Sequence, residues 1–408
     1  MASNLEKFSE LVLSSNLPTA DTPQDEALAH IPFNRPYVVG TEFEYIRQAI
    51  ANMHLAGDGA FTHHCHAWLE TQLGCQKALL THSCTAALEM TALLAQIRPG
   101  DEIIMPSYTF VSTANAFVLR GGIPVFVDIR PDTLCIDETQ IAAALTPRTK
   151  VIVVVHYAGV GCEMDSVLSL AKQHGVLVVE DAAQGLLSFY KDRPLGSMGS
   201  LATISFHETK NVIAGEGGAL LINDARWIER AEIIREKGTN RQQFSRGQVD
   251  KYSWVDIGSS YLPSEISAAF LWAQLEAAAA IIRRRVAIWQ QYHEAFAELE
   301  KTGKIRRPIV PAECRHNGHM YYLLLPNLRS RQTVIATLNA AGINAVFHYV
   351  PLHSSPAGKA YGRVGGDLVN TQQVSDCLVR LPLWVEMTQA EVTRVIETVY
   401  ATIESRLP

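Results

Sequence analysis

The stretch that decides the fold reads VVEDAAQG at residues 178–185 and ATISFHETK at residues 202–210. Each part begins with apolar and β-branched residues, which is typical of a buried strand, and ends in polar residues. Asp181 stands at the end of the first predicted strand. Lys210 follows the second strand, in a loop that leads to the glycine-rich turn GEGG at residues 215–218. The stretch thus carries one carboxylate and one lysine, with a serine and a histidine between them.

These side chains are the set that pyridoxal phosphate needs. A lysine amine forms a Schiff base with the cofactor, and an acid keeps the pyridine nitrogen protonated so that the ring can act as an electron sink. Taken singly, Asp181 is more often a helix cap and Lys210 a solvated loop lysine. Their combination with the elements described next favours the cofactor.

Length, charge and cysteine content exclude several classes of protein. The 408 residues suffice for about two domains and a sizeable core. A net charge of −6 argues against an extended nucleic-acid surface. Seven scattered cysteines are not a disulfide framework and suit a reducing compartment. Because no apolar run reaches membrane-spanning length and no signal-peptide core begins the chain, we expect a cytoplasmic protein with no membrane partner.

Predicted strands and helices alternate along residues 62–237. The strands are predicted at 78–80, 102–105, 125–128, 151–155, 177–180, 202–207 and 217–223, and the helices at 62–73, 111–119, 137–145, 165–174 and 225–237. Val/Ile-rich strands separated by amphipathic helices indicate an α/β fold with a mainly parallel sheet covered by helices. Ligands bind such sheets beyond the carboxyl ends of the strands, where Asp181 and residues 106–110 lie.

The C-terminal part has a different pattern. Residues 264–302 predict one long helix with at most one break. Strands are then predicted at 320–325 and 344–349, and helices at 333–341 and 389–405, which indicates a small α+β domain. We therefore predict an N-terminal extension (1–30), a cofactor-binding large domain (31–270), and a long connecting helix with a small C-terminal domain (271–408).

Two further segments carry chemistry with an ordinary alternative. Residues 81–88 (THSCTAAL) place small hydroxyl residues between a strand and a helix, which predicts either an anion site for a phosphate or a plain helix N-cap. The predicted helix 62–73 carries His63, His64, Cys65 and His66. Since no second ligand cluster is evident, we predict a solvated helix face and no metal site.

The order of four segments resembles that of the sugar-nucleotide aminotransferases, a pyridoxal-phosphate family with the type I aspartate-aminotransferase fold. The segments lie at 83–85, 106–110, 180–184 and 205–210, and the likeness extends from residue 31 to the C-terminus. Within the family the likeness is strongest to transaminases that form dTDP-4-amino-4,6-dideoxygalactose. Its marks are IPFN at 31–34, HYAG at 156–159, REKGTNR at 235–241, DIGSSY at 256–261 and FHY at 347–349.

The resemblance implies a role for each residue around the cofactor ring. Lys210 is the Schiff-base lysine and proton shuttle, and Asp181 pairs with the pyridine nitrogen. Gln184 reaches the O3′ side of the ring. Phe110 stacks on the ring, with Ala183 as a small contact on the other face.

The resemblance also implies how the phosphate is held. Ser83, Cys84 and Ser205 bind it, and His207 keeps the family's Ser-x-His-x-x-Lys spacing. Many relatives add an asparagine from the neighbouring subunit in a Gly-x-Asn-Tyr-Arg pattern, where this chain reads GSSYL at 258–262. Both the asparagine and the arginine are missing, so that contact is in doubt, with Ser260 as its candidate replacement.

The resemblance implies a reaction that moves the amino group of L-glutamate to C4 of dTDP-4-dehydro-6-deoxyglucose. It also implies that the enzyme is a homodimer. The candidate substrate contacts are Arg241, Arg246 and Lys251 in a basic loop, and His348 with Tyr349. For the loop, ordinary solvated charge is an equal alternative. Another keto-sugar nucleotide, the C4 epimer, or a non-catalytic binding protein are the alternatives for the whole chain. The family's dehydratase branch replaces the lysine by histidine, so Lys210 argues against it.

Overall fold

A twisted sheet of eight strands forms the centre of the computed structural model, which describes residues 30–407. Residues 30–407 form thirteen strands, which in chain order are β1 (Lys77–Thr81), β2 (Glu102–Pro106), β3 (Ile123–Val127), β4 (Thr149–Val155), β5 (Leu177–Asp181), β6 (Phe189–Tyr190), β7 (Arg193–Pro194), β8 (Leu201–Ser205), β9 (Gly218–Ile222), β10 (Cys314–Arg315), β11 (Tyr321–Leu324), β12 (Arg363–Val364) and β13 (Leu378–Leu381). The large sheet has the order β1-β9-β8-β5-β4-β2-β3-β12. Within it, β9 alone runs antiparallel to both neighbours, so the predicted mainly parallel sheet is confirmed.

Helices cover this sheet and build the C-terminal part. They are α1 (Glu42–Ala51), α2 (Ala60–Leu73), α3 (Cys84–Leu94), α4 (Val111–Val118), α5 (Glu138–Ala144), α6 (Met164–His174), α7 (Ile228–Arg235), α8 (Arg241–Ser245), α9 (Glu265–Glu276), α10 (Ala278–Ala295), α11 (Ala297–Lys301), α12 (Leu328–Ala340), α13 (Pro356–Tyr361), α14 (Val369–Cys377) and α15 (Gln389–Arg406). Several begin at a side-chain cap. Ser264 accepts a hydrogen bond from Ser267 N at the start of α9, and Thr388 forms a capping box with Glu391 at the start of α15.

Strand β4 explains why the central strands read as unbroken apolar runs. Val151 and Val153 pack into a core with α3 on one face of the sheet, whereas Ile152 and Val154 pack into a second core on the other face. Successive side chains of a strand point to opposite faces. A strand with helices on both faces therefore needs apolar residues at every position.

The predicted long helix at 264–302 is wrong, because the chain forms three helices there. Helices α9 and α10 meet at Ala277 with a bend of 60°, and Phe296 separates α10 from α11. The first half packs into the core beside the large sheet through Leu271 and Leu275, while Trp289 in the second half packs into the C-terminal core. The bend allows one helical segment to serve two cores. Among the described residues no single helix is long and apolar enough to cross a membrane, although the bent pair α9–α10 passes that test by length and composition.

The C-terminal part has its own core and also returns to the large sheet. Helices α10, α12 and α15 pack against the two-stranded sheet β11-β13. Strand β12 then pairs with β3 at the edge of the eight-stranded sheet, through Arg363 and Val125. Residues 352–368 therefore contact the large sheet although in sequence they lie between two parts of the C-terminal core.

The predicted strand at 344–349 is wrong. Only Val346 forms a bridge, in which its N–H and C=O bond to the backbone of Arg380. Beyond that bridge the chain leaves the strand direction, and Ser375 Oγ donates a hydrogen bond to the carbonyl of Tyr349 at 2.8 Å. His348 and Tyr349 consequently lie at a pocket next to the large sheet.

The four-residue run at 63–66 is only partly a solvated helix face. His63 and His64 are exposed, but Cys65 and His66 are buried, which corrects the prediction for these two residues. His66 Nε2 accepts a hydrogen bond from Leu80 N at 2.9 Å and so joins α2 to β1. Among residues 30–407 no group of three or more His, Cys, Asp or Glu side chains is arranged to hold a metal ion.

Candidate active site

The ends of two neighbouring strands bring Asp181 and Lys210 to one pocket. Strands β5 and β8 are parallel neighbours, with Asp181 paired to Thr203. The chain then turns tightly after Ser205, where Lys210 N donates to the carbonyl of His207 at 2.9 Å. Both side chains line a pocket of about 480 Å³ at the carboxyl ends of the parallel strands, as the sequence predicts.

Asp181 is a buried carboxylate with two hydrogen-bond donors among the described residues. Thr113 Oγ1 on α4 donates to Oδ2 at 2.7 Å, and Ala183 N donates to Oδ1 at 3.2 Å. Burial raises the pKa of Asp181 above its ordinary value, and these two hydrogen bonds and the charge of Lys210 only partly oppose the rise. A carboxyl group of raised proton affinity is suited to share a proton with a basic ring nitrogen.

A buried pair beneath Asp181 fixes the end of β5. Glu180 accepts hydrogen bonds from His156 Nε2 at 2.9 Å and from the N–H groups of Gly196, Met198 and Gly199. Because His156 Nδ1 accepts from Cys162 N, the ring proton lies on Nε2 and points at the carboxylate. Burial acts to raise the pKa of Glu180, but these donors outweigh it and lower the pKa, so the carboxylate stays charged.

Lys210 has the surroundings of a nucleophilic amine. Its Nζ makes no hydrogen bond to any residue in the range 30–407. Burial lowers its pKa, an effect that the nearby Cys84 and Asp181 counter only in part. A lysine with a lowered pKa reaches its neutral, nucleophilic form at lower pH than a solvated one.

The N-terminus of α3 lines the same pocket and is a candidate anion site. Ser83 caps the helix by accepting from Ala86 N at 3.0 Å, which leaves its hydroxyl proton free to donate. The first N–H groups of a helix, here those of Cys84 and Thr85, have no carbonyl partner within the helix. Gly218 on β9 lies directly beneath, and a Cβ there would overlap the backbone of Ser83 and Cys84. Ser205 lines the same wall.

The remaining predicted cofactor contacts also lie on this pocket. Phe110, at the start of α4, is 57% exposed and faces the pocket, as do Ala183 and His207. Gln184 lines it too, but both ends of its amide are already engaged. Its Oε1 accepts from Ala158 N at 2.6 Å, and its Nε2 donates to Tyr349 Oη at 3.2 Å.

The structure divides the five predicted substrate residues into two groups. His348 and Tyr349 line the pocket, and His348 Nδ1 lies 3.0 Å from Tyr157 Oη. The three basic loop residues lie outside it. Arg241 forms an ion pair with Glu236, Arg246 forms one with Glu232, and Lys251 is exposed. Within one chain the loop is therefore engaged with α7 rather than with the pocket.

Several pocket residues escape sequence reasoning. Thr113, Phe33, His319 and Arg380 reach the pocket from four separate parts of the chain. His319 Nδ1 lies 3.0 Å from Oδ1 of Asn211, the residue that follows Lys210 in the sequence. Burial holds the pKa of His319 well below its usual range, with Lys210 adding to the effect, so the ring is neutral. Only Phe33 carried a signal, as part of the IPFN segment.

The donor set fits pyridoxal phosphate. The pocket offers a helix N-terminus for a phosphate, a buried carboxylate for a ring nitrogen, and a buried amine without a hydrogen-bond partner in the described chain. The glycine at 218 lets β9 lie directly against the first turn of α3, since a Cβ there would overlap the backbone of Ser83 and Cys84. Each requirement of the cofactor is therefore met by a residue of this chain.

Comparison with known proteins gives one family. The profile of the DegT/DnrJ/EryC1/StrS aminotransferase family matches residues 37–400. Two curated relatives are an uncharacterized protein, MJ1066, of Methanocaldococcus jannaschii (34% identical; 80% of this chain, 86% of the relative) and the spore coat polysaccharide biosynthesis protein SpsC of Bacillus subtilis (31%; 90% and 96%). A similar solved structure is the putative sugar aminotransferase Spr1654 of Streptococcus pneumoniae in its PMP form, with a TM-score of 0.84, 26% identity, and coverage of 92% of this chain and 98% of that chain.

Proposed function

The chain belongs to the DegT/DnrJ/EryC1/StrS aminotransferase family and is a sugar aminotransferase that uses pyridoxal phosphate, and on this premise we propose its substrates. It moves the amino group of L-glutamate to C4 of dTDP-4-dehydro-6-deoxyglucose and gives dTDP-4-amino-4,6-dideoxygalactose and 2-oxoglutarate. The observation that carries the proposal is the convergence of Asp181, Lys210 and the N-terminus of α3 on one pocket. The choice of sugar rests on the sequence likeness given above.

The bound cofactor supplies an electron sink that weakens the C–H bond of the amino donor. Lys210 Nζ would anchor the cofactor at rest and, once released, would act as the base that takes the proton from the donor's α-carbon and shuttles it during the transfer. Asp181 would hold the proton on the pyridine nitrogen during both half-reactions. The N–H groups of α3 and the hydroxyls of Ser83 and Ser205 hold the phosphate, and Phe110 covers the ring.

A panel of 4-keto-sugar nucleotides with L-glutamate tests the proposal directly. We expect amino product from dTDP-4-dehydro-6-deoxyglucose, with the galacto configuration at C4 by NMR. Turnover of another keto-sugar alone, or a gluco product, would replace the proposed substrate or stereochemistry with one of the alternatives. No transfer to any keto-sugar would refute the proposal.

We also propose that the working unit is a homodimer. The segment that follows the basic loop exposes four large apolar side chains, Tyr252 (52%), Trp254 (80%), Val255 (51%) and Ile257 (44%). An apolar cluster of this kind is typical of a surface that another chain covers. The segment leads directly into residues 258–262, where relatives reach the neighbour's cofactor, and in a dimer the basic loop can lie near the neighbour's nucleotide.

Mixed dimers test whether the sites are shared. We expect a Lys210→Ala chain combined with a chain inactivated by Ser260→Trp to regain part of the activity, because one of the two sites then contains neither lesion. Mass measurements must show that mixed dimers formed. If they form without recovery, the sites are not shared in this way. The dimer itself is checked by light scattering, with Trp254→Asp expected to shift the protein toward monomer.

The proposed pathway is the synthesis of an amino sugar for a surface polysaccharide. The proposed location of the enzyme is the cytoplasm. The name of the Bacillus subtilis relative places that protein in polysaccharide biosynthesis, which supports the pathway class. All seven cysteines of this chain are free thiols, which fits a reducing compartment.

A further inference from the structure

Arg380 presents an unpaired guanidinium to the pocket. It lies on β13, and its side chain reaches the same cavity as Lys210. Its Cζ lies 4.4 Å from the centre of the Phe33 ring. Its Nε is fully buried without a hydrogen-bond partner, and the guanidinium has no hydrogen bond or ion pair with any residue of the described chain.

No carboxylate neutralises this charge within the chain. Burial lowers the pKa of Arg380, and the opposing neighbours are the hydroxyls of Tyr157, Tyr349 and Tyr108. The other ionisable groups whose pKa values respond to the charge of Arg380 are Lys210, Arg285, His319 and His348, which are also bases. A buried cation without a partner is costly, so such a group normally has an anion to bind.

Two carboxylates line the pocket, Asp181 and Glu216, and neither pairs with Arg380. Asp181 accepts hydrogen bonds from Thr113 and Ala183, and Glu216 is largely exposed, 3.7 Å from His207 Nε2. The phosphate site at the N-terminus of α3 supplies its own donors. The anion for Arg380 must therefore come from a substrate.

We infer that Arg380 binds the α-carboxylate of the amino donor, an inference that rests on the proposed function. A guanidinium forms two parallel hydrogen bonds with a planar carboxylate, and stacking on Phe33 fixes the plane of that fork. The α-carboxylate is bonded to the carbon whose proton Lys210 removes. Arg380 and Lys210 line the same pocket of about 480 Å³, so one small molecule bound there can meet both groups. A keto-sugar has no carboxylate there, so Arg380 distinguishes the two half-reactions.

The test compares Arg380→Gln and Arg380→Lys with a control, Arg331→Gln. Arg331 stacks on Phe347 and donates to the carbonyl of Ser375, but it lies outside the pocket. Each holoenzyme is checked for cofactor absorbance and thermal unfolding, and the two half-reactions are then followed separately by stopped-flow absorbance. Binding of 2-oxoglutarate is measured by calorimetry as a readout independent of turnover.

We expect Arg380→Gln to lower kcat/KM for L-glutamate by roughly 10- to 150-fold, the range for losing hydrogen bonds to a charged group. L-Alanine, which lacks the second carboxylate, should lose a similar factor. The amino-sugar half-reaction should change by less than about threefold, and 2-oxoglutarate should bind correspondingly more weakly. Arg380→Lys, which keeps the charge but not the fork, should fall between Arg380→Gln and the wild type.

Four results would overturn the inference. Equal losses in both half-reactions would place Arg380 in machinery that both share. A loss confined to the sugar would assign it to the nucleotide diphosphate, and a loss with glutamate but not alanine would assign it to the side-chain carboxylate. Unchanged kinetics would also count against it. Failure of the wild-type protein to aminate the proposed dTDP-sugar, with an intact glutamate half-reaction, would refute the substrate and leave Arg380 untouched.

Discussion

Replacing Thr113 by Val tests how Asp181 does its work. Thr113 Oγ1 donates to Asp181 Oδ2 at 2.7 Å and is one of two donors to that carboxylate among the described residues. A carboxylate only accepts hydrogen bonds, so the hydroxyl of Thr113 donates its proton to Asp181. The same hydroxyl must therefore accept the hydrogen bond from Thr109 Oγ1, 2.9 Å away. Thr113→Val therefore removes a donor to the carboxylate with little change in volume.

The expected magnitude follows from that one hydrogen bond. A hydrogen bond to a buried charged group contributes about 1.5–3 kcal/mol, which corresponds to roughly 10- to 150-fold in rate if the transition state needs the full charge on Asp181. The change also raises the pKa of the carboxyl group further, because burial is then opposed by fewer donors. Since the ionised form is the active one, the acidic limb of the pH–rate profile moves to higher pH.

Stopped-flow measurement of the glutamate half-reaction across pH is the assay. Thr109→Val is the matched control, because it makes the same change four residues earlier in the chain and leaves the donor to Asp181 in place. Thr91→Val, whose hydroxyl bonds only to the carbonyl of Leu88, controls for buried threonine loss in general. If Thr113→Val and Thr109→Val have the same rate and the same pH profile, the reasoning is refuted.

Three further predictions concern Lys210, Gly218 and His66. Lys210→Ala should abolish amino transfer while circular dichroism stays unchanged, since one amine serves as both anchor and base; near-wild-type turnover would remove it from the site. Gly218→Ala should weaken cofactor binding at least tenfold by displacing the first turn of α3, and retained affinity in a fluorescence titration would show that the turn can move. Burial lowers the pKa of His66 well below its ordinary 6.5, so only the unfolded chain gains its proton just below that pH. The contribution of His66 to stability in urea should therefore fall as pH drops below about 6.5, by up to about 1.4 kcal/mol per pH unit, and His66→Gln should remove this part of the slope.

The sequence by itself determined the large sheet and indicated Asp181 and Lys210 as the candidate reactive pair. Strands such as β4 and β5 are runs of β-branched residues flanked by amphipathic helices, a pattern set by nearest neighbours in the chain. Asp181 and Lys210 were found because each follows such a strand within a few residues. The anion site at α3 was readable for the same reason, since a cap and its helix are adjacent in sequence.

Tertiary structure decided what depends on contacts between distant segments. The bend at Ala277 arises because one helical segment packs into two cores, and residues 344–349 leave the strand direction because only Val346 finds a partner. His66 is buried by β1, which periodicity on its own helix did not reveal.

The pocket itself shows the same division. Thr113 reaches Asp181 across 68 positions of sequence, and Arg380 comes to the lysine from the C-terminal core. Local sequence encodes strand β5 and the cap of α3, because backbone preference and the periodic spacing of apolar residues act over a few residues. Thr113, His319 and Arg380 reach the pocket beside these elements only through the packing of helices and sheets. That packing is fixed only when the whole chain has folded.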